Sequence, residues 1–273
     1  MAAVVSAADS AAVRPAPHFV SGGKADQAEG ARILGEFHQM GLAGNYMLGF
    51  ELRVLPRKGA ERTIRGQLFG SRNAAGPITR LTLLTASDAA EARWLIQGGP
   101  APAAWHWSGA TGQTAALTAA DAFQPIGGTD LTLFDLQLSF LYWKDFVYEG
   151  VARVRGRPAH SFLLYPPADV AAARPGLTGM RVMLDTQFQQ LVQAEQLGKD
   201  GTAEKTITIL DLKKSGEQWM VKSIDVRNSV TRDKTRFDVT AAALGLTLPE
   251  VTFTPDALAH DSPAVPEAKI DRF

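Results

Sequence analysis

The chain has 273 residues, no cysteine, and 28 basic against 28 acidic side chains, with 45% hydrophobic and 21% charged residues. This is the composition of a folded chain, and the missing thiols exclude disulfides, thiolate metal sites, a cysteine nucleophile and lipid attachment through cysteine. Balanced charge leaves no general field to draw nucleic acid or an anionic membrane, and no apolar run is long enough to span a bilayer as a helix.

Residues 1–23 are rich in Ala, Pro and Gly and are expected to form a flexible segment. Val5-Ser6-Ala7 before Ala8 has the small-x-small form of a signal-peptidase site. The segment therefore reads either as the remnant of a secretion signal or as a plain Ala-rich terminus. A single domain is expected over 24–258, with 259–273 as a flexible C-terminal tail. Lys24 to Gly41 is predicted helical, because Ile33, Leu34, Phe37 and Met40 recur at helical spacing and Gly41 can stop the helix.

Strand signals follow. Phe50, Leu52 and Val54 alternate with more polar neighbours, and the Pro56–Gly59 turn leads to Arg62–Phe69, which predicts a hairpin. Further strands are predicted at 78–85, 92–97 and 104–107. The middle, 121–143, is dense in apolar residues, with a Gly127-Gly128 hinge and Asp130 as a candidate cap. Leu133, Leu136, Phe140 and Trp143 predict a short helix there. Strands resume at 146–154, 159–165, 180–184, 191–197, 206–212, 219–227 and 235–240. Short strands with Gly, Pro, Asn and Asp between them indicate an antiparallel meander, since parallel units need a helix between strands. The fold class is mainly β with helices (α+β), one curved sheet over two amphipathic helices.

Chemical motifs are scarce. The histidines His18, His38, His106, His160 and His260 lack metal-ligand spacing, and there is no nucleophile elbow or phosphate-binding glycine loop. Glu51, Asp135, Asp145 and Glu149 offer carboxylates, but their spacing gives no reason for two to converge. Arg53, Arg57, Lys58 and Arg62 cluster on one hairpin without interleaved aromatics, which reads as a solvated turn. No catalytic residue, metal or cofactor is assigned. The positive signal is the concentration of aromatics between Trp94 and Tyr148. These residues could build an ordinary core, or the walls of a ligand cavity beside a movable helix. Phe134, Leu138, Phe140 and Leu141 are the candidate lid.

Asp130-Leu-Thr-Leu-Phe-Asp-Leu-Gln-Leu-Ser-Phe-Leu-Tyr-Trp-Lys-Asp-Phe146, with Tyr148 to Arg157, resembles the bacterial outer-membrane lipoprotein-sorting (LolA-like) family, in a divergent branch. The resemblance extends through Tyr165-Pro-Pro167, Arg181–Thr186, Leu191–Glu195, Gly216–Lys222 and Thr235–Thr240. It implies a curved, unclosed antiparallel β-barrel covered by helices, of LolA/LolB type, in the periplasm. The implied function is non-enzymatic: a monomeric carrier that binds lipid or lipoprotein acyl chains. Its implied partners are an inner-membrane transporter and an outer-membrane acceptor, with no nucleic acid. The family also implies an early-strand arginine bonded to the lid, for which Arg53 and Arg65 are the candidates. The lack of cysteine excludes the membrane-anchored acceptor role. The predicted cavity lining is Phe50, Leu52, Val54, Leu68, Leu83, Trp94, Trp105, Trp107, Phe134, Leu138, Phe140, Trp143, Phe162 and Leu164. An envelope-stress sensor or protein-interaction module on the same fold is the alternative.

Overall fold

A computed structural model describes residues 14–20, 25–188 and 190–273. The expected signal-peptide remnant falls largely on residues 1–13, outside the described residues. The predicted first helix, α1, spans Gln27–Gln39 and starts where the Asp26 carboxylate accepts from the Ala28 and Glu29 amides. Its buried face carries Gly30, Ile33 and Leu34.

Six strands then run as a meander: β1 (Asn45–Leu55), β2 (Arg62–Asn73), β3 (Gly76–Leu84), β4 (Ala90–Gln97), β5 (Ala103–Ser108) and β6 (Gln113–Ala116). After a helical stretch containing α2 (Leu133–Gln137), a second meander begins with β7 (Phe146–Val154) and β8 (Arg157–Leu164). A short helix α3 (Ala168–Ala173), not foreseen in the sequence, precedes β9 (Gly179–Asp185) and β10 (Leu191–Leu197). β11 (Ala203–Ser215), β12 (Gln218–Asn228) and β13 (Lys234–Leu246) complete that meander.

Each strand pairs antiparallel with its neighbour, and the two meanders join where β13 pairs with β1, in register at Leu52 and Phe237. The result is one 14-stranded sheet whose ends, β6 and β7, do not pair with each other. It is a curled barrel left open, as the alternating strands and the resemblance had indicated. Curling needs close approach on the concave side. Gly66 supplies it: a Cβ there would lie 2.2 Å from Cζ of Phe50, its cross-strand partner, so only glycine lets the ring lie across β2.

An open barrel has two edges to protect. β6 is short and exposed. β7 is covered instead. The Gln27 side-chain amide accepts from the Tyr148 N–H (2.8 Å) and donates to its carbonyl (2.9 Å), imitating one residue of a paired strand. The Val20 N–H adds a bond to the Glu149 carbonyl (3.2 Å). Gly30 lets α1 sit directly on Tyr148, where a Cβ would come within 2.5 Å of the tyrosine Cβ.

The expected tail, 259–273, and the end of the expected domain before it together form a strap across the convex face. Leu248, Phe253, Val265 and Ile270 pack on Met47, Phe69, Ala243 and Leu246, while Leu258 packs on Ile78 and Leu95. The strap ends as β14 (Asp271–Arg272), paired with Ala241 and Ala242 of β13. Ser215 Oγ donates to Asp271 there (2.6 Å). The apolar residues responsible are spaced irregularly and matched no helix or strand period, which is why the sequence read as tail.

Candidate functional site: a barrel interior filled by a tethered lid

The two free edges are consecutive in sequence, so the chain between them, residues 117–145, must bridge the gap. It does so by turning inward. Phe134, Phe140, Leu141 and Trp143 are buried against the concave sheet residues Phe50, Leu52, Leu68, Leu83, Trp94, Phe162 and Leu164 in one cluster, and half-buried Leu138 packs on it. Within the segment Phe134 stacks near Phe123 (4.6 Å between centroids), Phe140 (5.6 Å) and Trp143 (6.2 Å). Val54 is buried at the end of the β1 row.

Two of the predicted lining residues lie elsewhere. Trp105 and Trp107 point to the convex face, where they flank Leu95 and Leu258 and Trp107 lies under the Arg93 guanidinium (4.3 Å). It is His106 between them that faces inward, stacked on Trp94 (4.9 Å). A strand flanked by two tryptophans invites the apolar face to be placed inward, yet here the strap makes the other face equally apolar. The register is off by one at β5, and both side chains move outside.

The segment bends sharply at defined residues. Gly127 and Gly128 both adopt positive φ (56° and 65°), and Leu138, which separates α2 from a 3-10 turn at Ser139–Tyr142, sits in the left-handed region at φ 50°. A branched side chain there is strained, so the lid breaks into two short pieces instead of one helix. The predicted cap Asp130 is not the cap. Thr132 is, in a reciprocal box with Asp135, and Asp130 bonds Thr235 through its N–H (2.9 Å) and carboxylate (3.0 Å). Burial pushes the Asp130 carboxyl above its usual range, opposed by hydrogen bonds from Thr235 and Asn228.

Among the polar ties that hold the lid down are three to side chains of the sheet. Asp135, buried, accepts from Lys205 Nζ (2.9 Å), Gln196 Nε2 (2.7 Å) and the Thr132 hydroxyl (2.8 Å). Arg62 Nη2 donates to the carbonyls of Gly127 (2.9 Å) and Gly128 (2.5 Å) at the hinge. The Thr235 contact with Asp130 is the third. The arginine bonded to the lid is thus Arg62. Arg53 pairs with Asp238 (2.9 Å) and Arg65 with Asp88 (3.0 Å), both away from it. On the far side, His38 of α1 stacks on Tyr142 (4.1 Å) and bonds the Leu141 carbonyl through Nε2 (2.9 Å).

The carboxylates weighed for hydrolysis are held apart by separate partners. Asp135 is with Lys205, Asp145 with Arg14 (2.8 Å), and buried Glu149 with Arg181 (3.1 Å) and Ser161 (2.7 Å). His160 bonds the Tyr148 hydroxyl (2.8 Å), and burial lowers its pKa and that of His106. Among the described residues no group of three or more His, Asp or Glu is placed to hold a metal. No helix among them is long and apolar enough to cross a membrane.

The locking residues Lys205, Gln196, Thr235 and Arg62 were missed in the sequence. A signal existed for two: on β10 and β11, Gln196 and Lys205 share the inward parity of Ala194 and Ile207, so each is a polar residue interrupting an apolar row.

A family model described as "-like: Uncharacterized protein" matches residues 83–260. The chain belongs to that family. No curated protein sequence matches it. Among solved structures it is similar to an outer membrane lipoprotein-sorting protein domain from Vibrio parahaemolyticus, at TM-score 0.74 and 16% identity over 85% of this chain and 97% of that one. A DUF1329 family protein from Desulfovibrio piger superposes at TM-score 0.73 and 14% identity, covering 85% and 98%. A LolA superfamily protein from Nitrosomonas europaea gives 0.63 and 14%, covering 84% and 98%. At such identities the likeness is one of fold, and the fold is LolA-like.

Proposed function

We propose that this protein is a periplasmic carrier that accepts acyl chains of lipoproteins or other lipids into the barrel interior when the 117–145 lid moves out, and transfers them between membranes. The observation that carries the reading is the lid itself: the open barrel is filled by an aromatic segment of its own chain that bends at Gly127, Gly128 and Leu138 and is fastened by polar contacts. Segment and cargo compete for the same apolar wall: each buried methylene of an acyl chain returns about 0.8 kcal/mol, against the burial of Phe134, Phe140, Leu141 and Trp143 that an opening lid gives up, so the departure of the cargo lets the lid return.

Release to an acceptor follows from that balance, because a cavity that the protein can refill by itself binds reversibly. An inner-membrane donor and an outer-membrane acceptor are the partners this cycle requires. The test is native mass spectrometry of protein purified from a Gram-negative periplasm, together with titration of a fluorescent fatty acid. Copurifying lipid, or saturable uptake weakened by Trp94→Ala on the concave wall, is the expected result. A lipid-free protein with no uptake sinks the proposal.

A further inference from the structure

The convex face holds an open cavity of about 680 Å³ between the sheet and the C-terminal strap. Its floor is a row of side chains directly opposite one another on neighbouring strands: Gln67 on β2, Thr82 on β3 and Arg93 on β4, with Gly49 beyond Gln67 leaving room. Met47, Leu84, Val265 and Ile270 make apolar walls. The floor is polar and buried yet unfinished. The Thr82 hydroxyl and the Arg93 Nε have no hydrogen-bond partner among the described residues, although both side chains are at least nine-tenths buried. Both atoms lie just beneath the cavity surface; buried polar groups are ordinarily satisfied, so two such orphans beside one cavity require an explanation.

The charges point the same way. Arg93 donates through Nη1 to the Leu258 carbonyl (2.9 Å) and through Nη2 to Asp261 (2.5 Å), leaving Nε, the other arm of that fork, unused. Asp261 thus holds one arm where a carboxylate can hold two. Its side chain is 95% exposed, so the strap lends this carboxylate loosely. Arg80 lies behind on the same face, bonded to the His260 carbonyl, with its own Nε unpartnered. Burial and the charge of Arg93 bring the Arg80 pKa down to about 10. Arg93 thus pairs with one exposed carboxylate, and Arg80 behind it forms no ion pair among the described residues. The remaining charges at the cavity, Asp88 and Arg272, are each engaged elsewhere, with Arg65 and Glu267.

We propose that this cavity binds a small amphiphilic carboxylate, whose carboxylate takes the place of Asp261 on Arg93 and bonds Thr82, with its apolar part against Met47, Val265 and Ile270. Asp261 is the internal stand-in that closes the site when it is empty. The inference is independent of the lid and of any cargo in the barrel interior.

The probe is decanoate below its micellar concentration, titrated calorimetrically into the full chain, with inorganic phosphate as the comparison. Decanoate should bind, D261N should bind it several-fold more tightly because the competing carboxylate is gone, and R93Q should bind it at least about tenfold more weakly. Should R93Q fail to fold, D261N decides alone, since an exposed side chain can be changed without loss of fold. Decanoate binding that neither variant alters places the ligand elsewhere and overturns the proposal. So does the absence of binding, or phosphate binding equally well, which would make the floor a site for any oxyanion. Arg80 and Arg93 would in those cases be anchors for the strap only.

Discussion

Lys205→Met tests the fastening of the lid where its geometry is clearest. Lys205 and Asp135 meet at 2.9 Å with side chains 13% and 1% exposed, so this pair is screened little by solvent. Removing the ammonium leaves a buried carboxylate with hydrogen bonds from Gln196 and Thr132 but no counter-charge. Loss of one partner of a buried pair costs about 3–5 kcal/mol. The remaining hydrogen bonds put this site at the lower end, about 3 kcal/mol. If the lid opens as a unit, that raises its open population by roughly a hundredfold (about 1.4 kcal/mol per factor of ten). Hydrogen–deuterium exchange in 117–145 should accelerate accordingly, while β1–β3 lose protection only by the global change. The double variant Asp135→Leu/Lys205→Met replaces the pair by apolar groups and should recover most of the loss. Unchanged exchange in K205M, or a double variant as unstable as the two single losses added, would refute the reasoning.

Other outcomes follow from the same geometry. Phe140→Ala, at a fully buried ring in the lid, should lower stability by about 3–5 kcal/mol in urea titration unless the interior is refilled by ligand, which should restore part of it. Gly127→Ala places a Cβ 2.8 Å from Leu83 Cδ1 on a residue at positive φ, so a loss of at least about 1 kcal/mol is expected, read as a lowered melting temperature. Trp94→Ala should weaken fatty-acid uptake and Trp107→Ala should not, since only the first faces the interior; equal effects would contradict the register. His106 and His160 have folded pKa values below their ordinary 6.5, so the unfolded chain takes up their protons first. Their contribution is therefore intact above about pH 6.5 and declines as pH falls below it. The urea midpoint should drop from pH 7.5 to pH 5.5 by less in H106Q/H160Q than in the unsubstituted protein.

The architecture was legible in the sequence because both strand periods and turn residues agreed along most of the chain. Phe50, Leu52 and Leu68 could be placed on the concave face from alternation alone. So could the family, from the aromatic run between Asp130 and Phe146. What was hidden depends on contacts far apart in sequence. Trp105 and Trp107 could not be oriented without knowing that the strap makes the convex face apolar. Lys205 and Asp135 are seventy residues apart, and nothing local to either announces the other. Arg62 looked like a solvated turn residue because its two acceptors are backbone carbonyls, which carry no sequence signature. The lid helix was overextended for a local reason: Leu138 in the left-handed region interrupts a spacing that otherwise suits a continuous helix.

The central claim, that the interior is a gated site and not a permanent core, is tested most directly by locking the lid. The chain has no cysteine of its own, so Asp130→Cys with Thr235→Cys, side chains now in hydrogen-bond contact, gives a single reversible crosslink. Uptake of a fluorescent fatty acid should be absent in the oxidised protein and return on reduction. Equal uptake in both states, or none in either, would contradict the account.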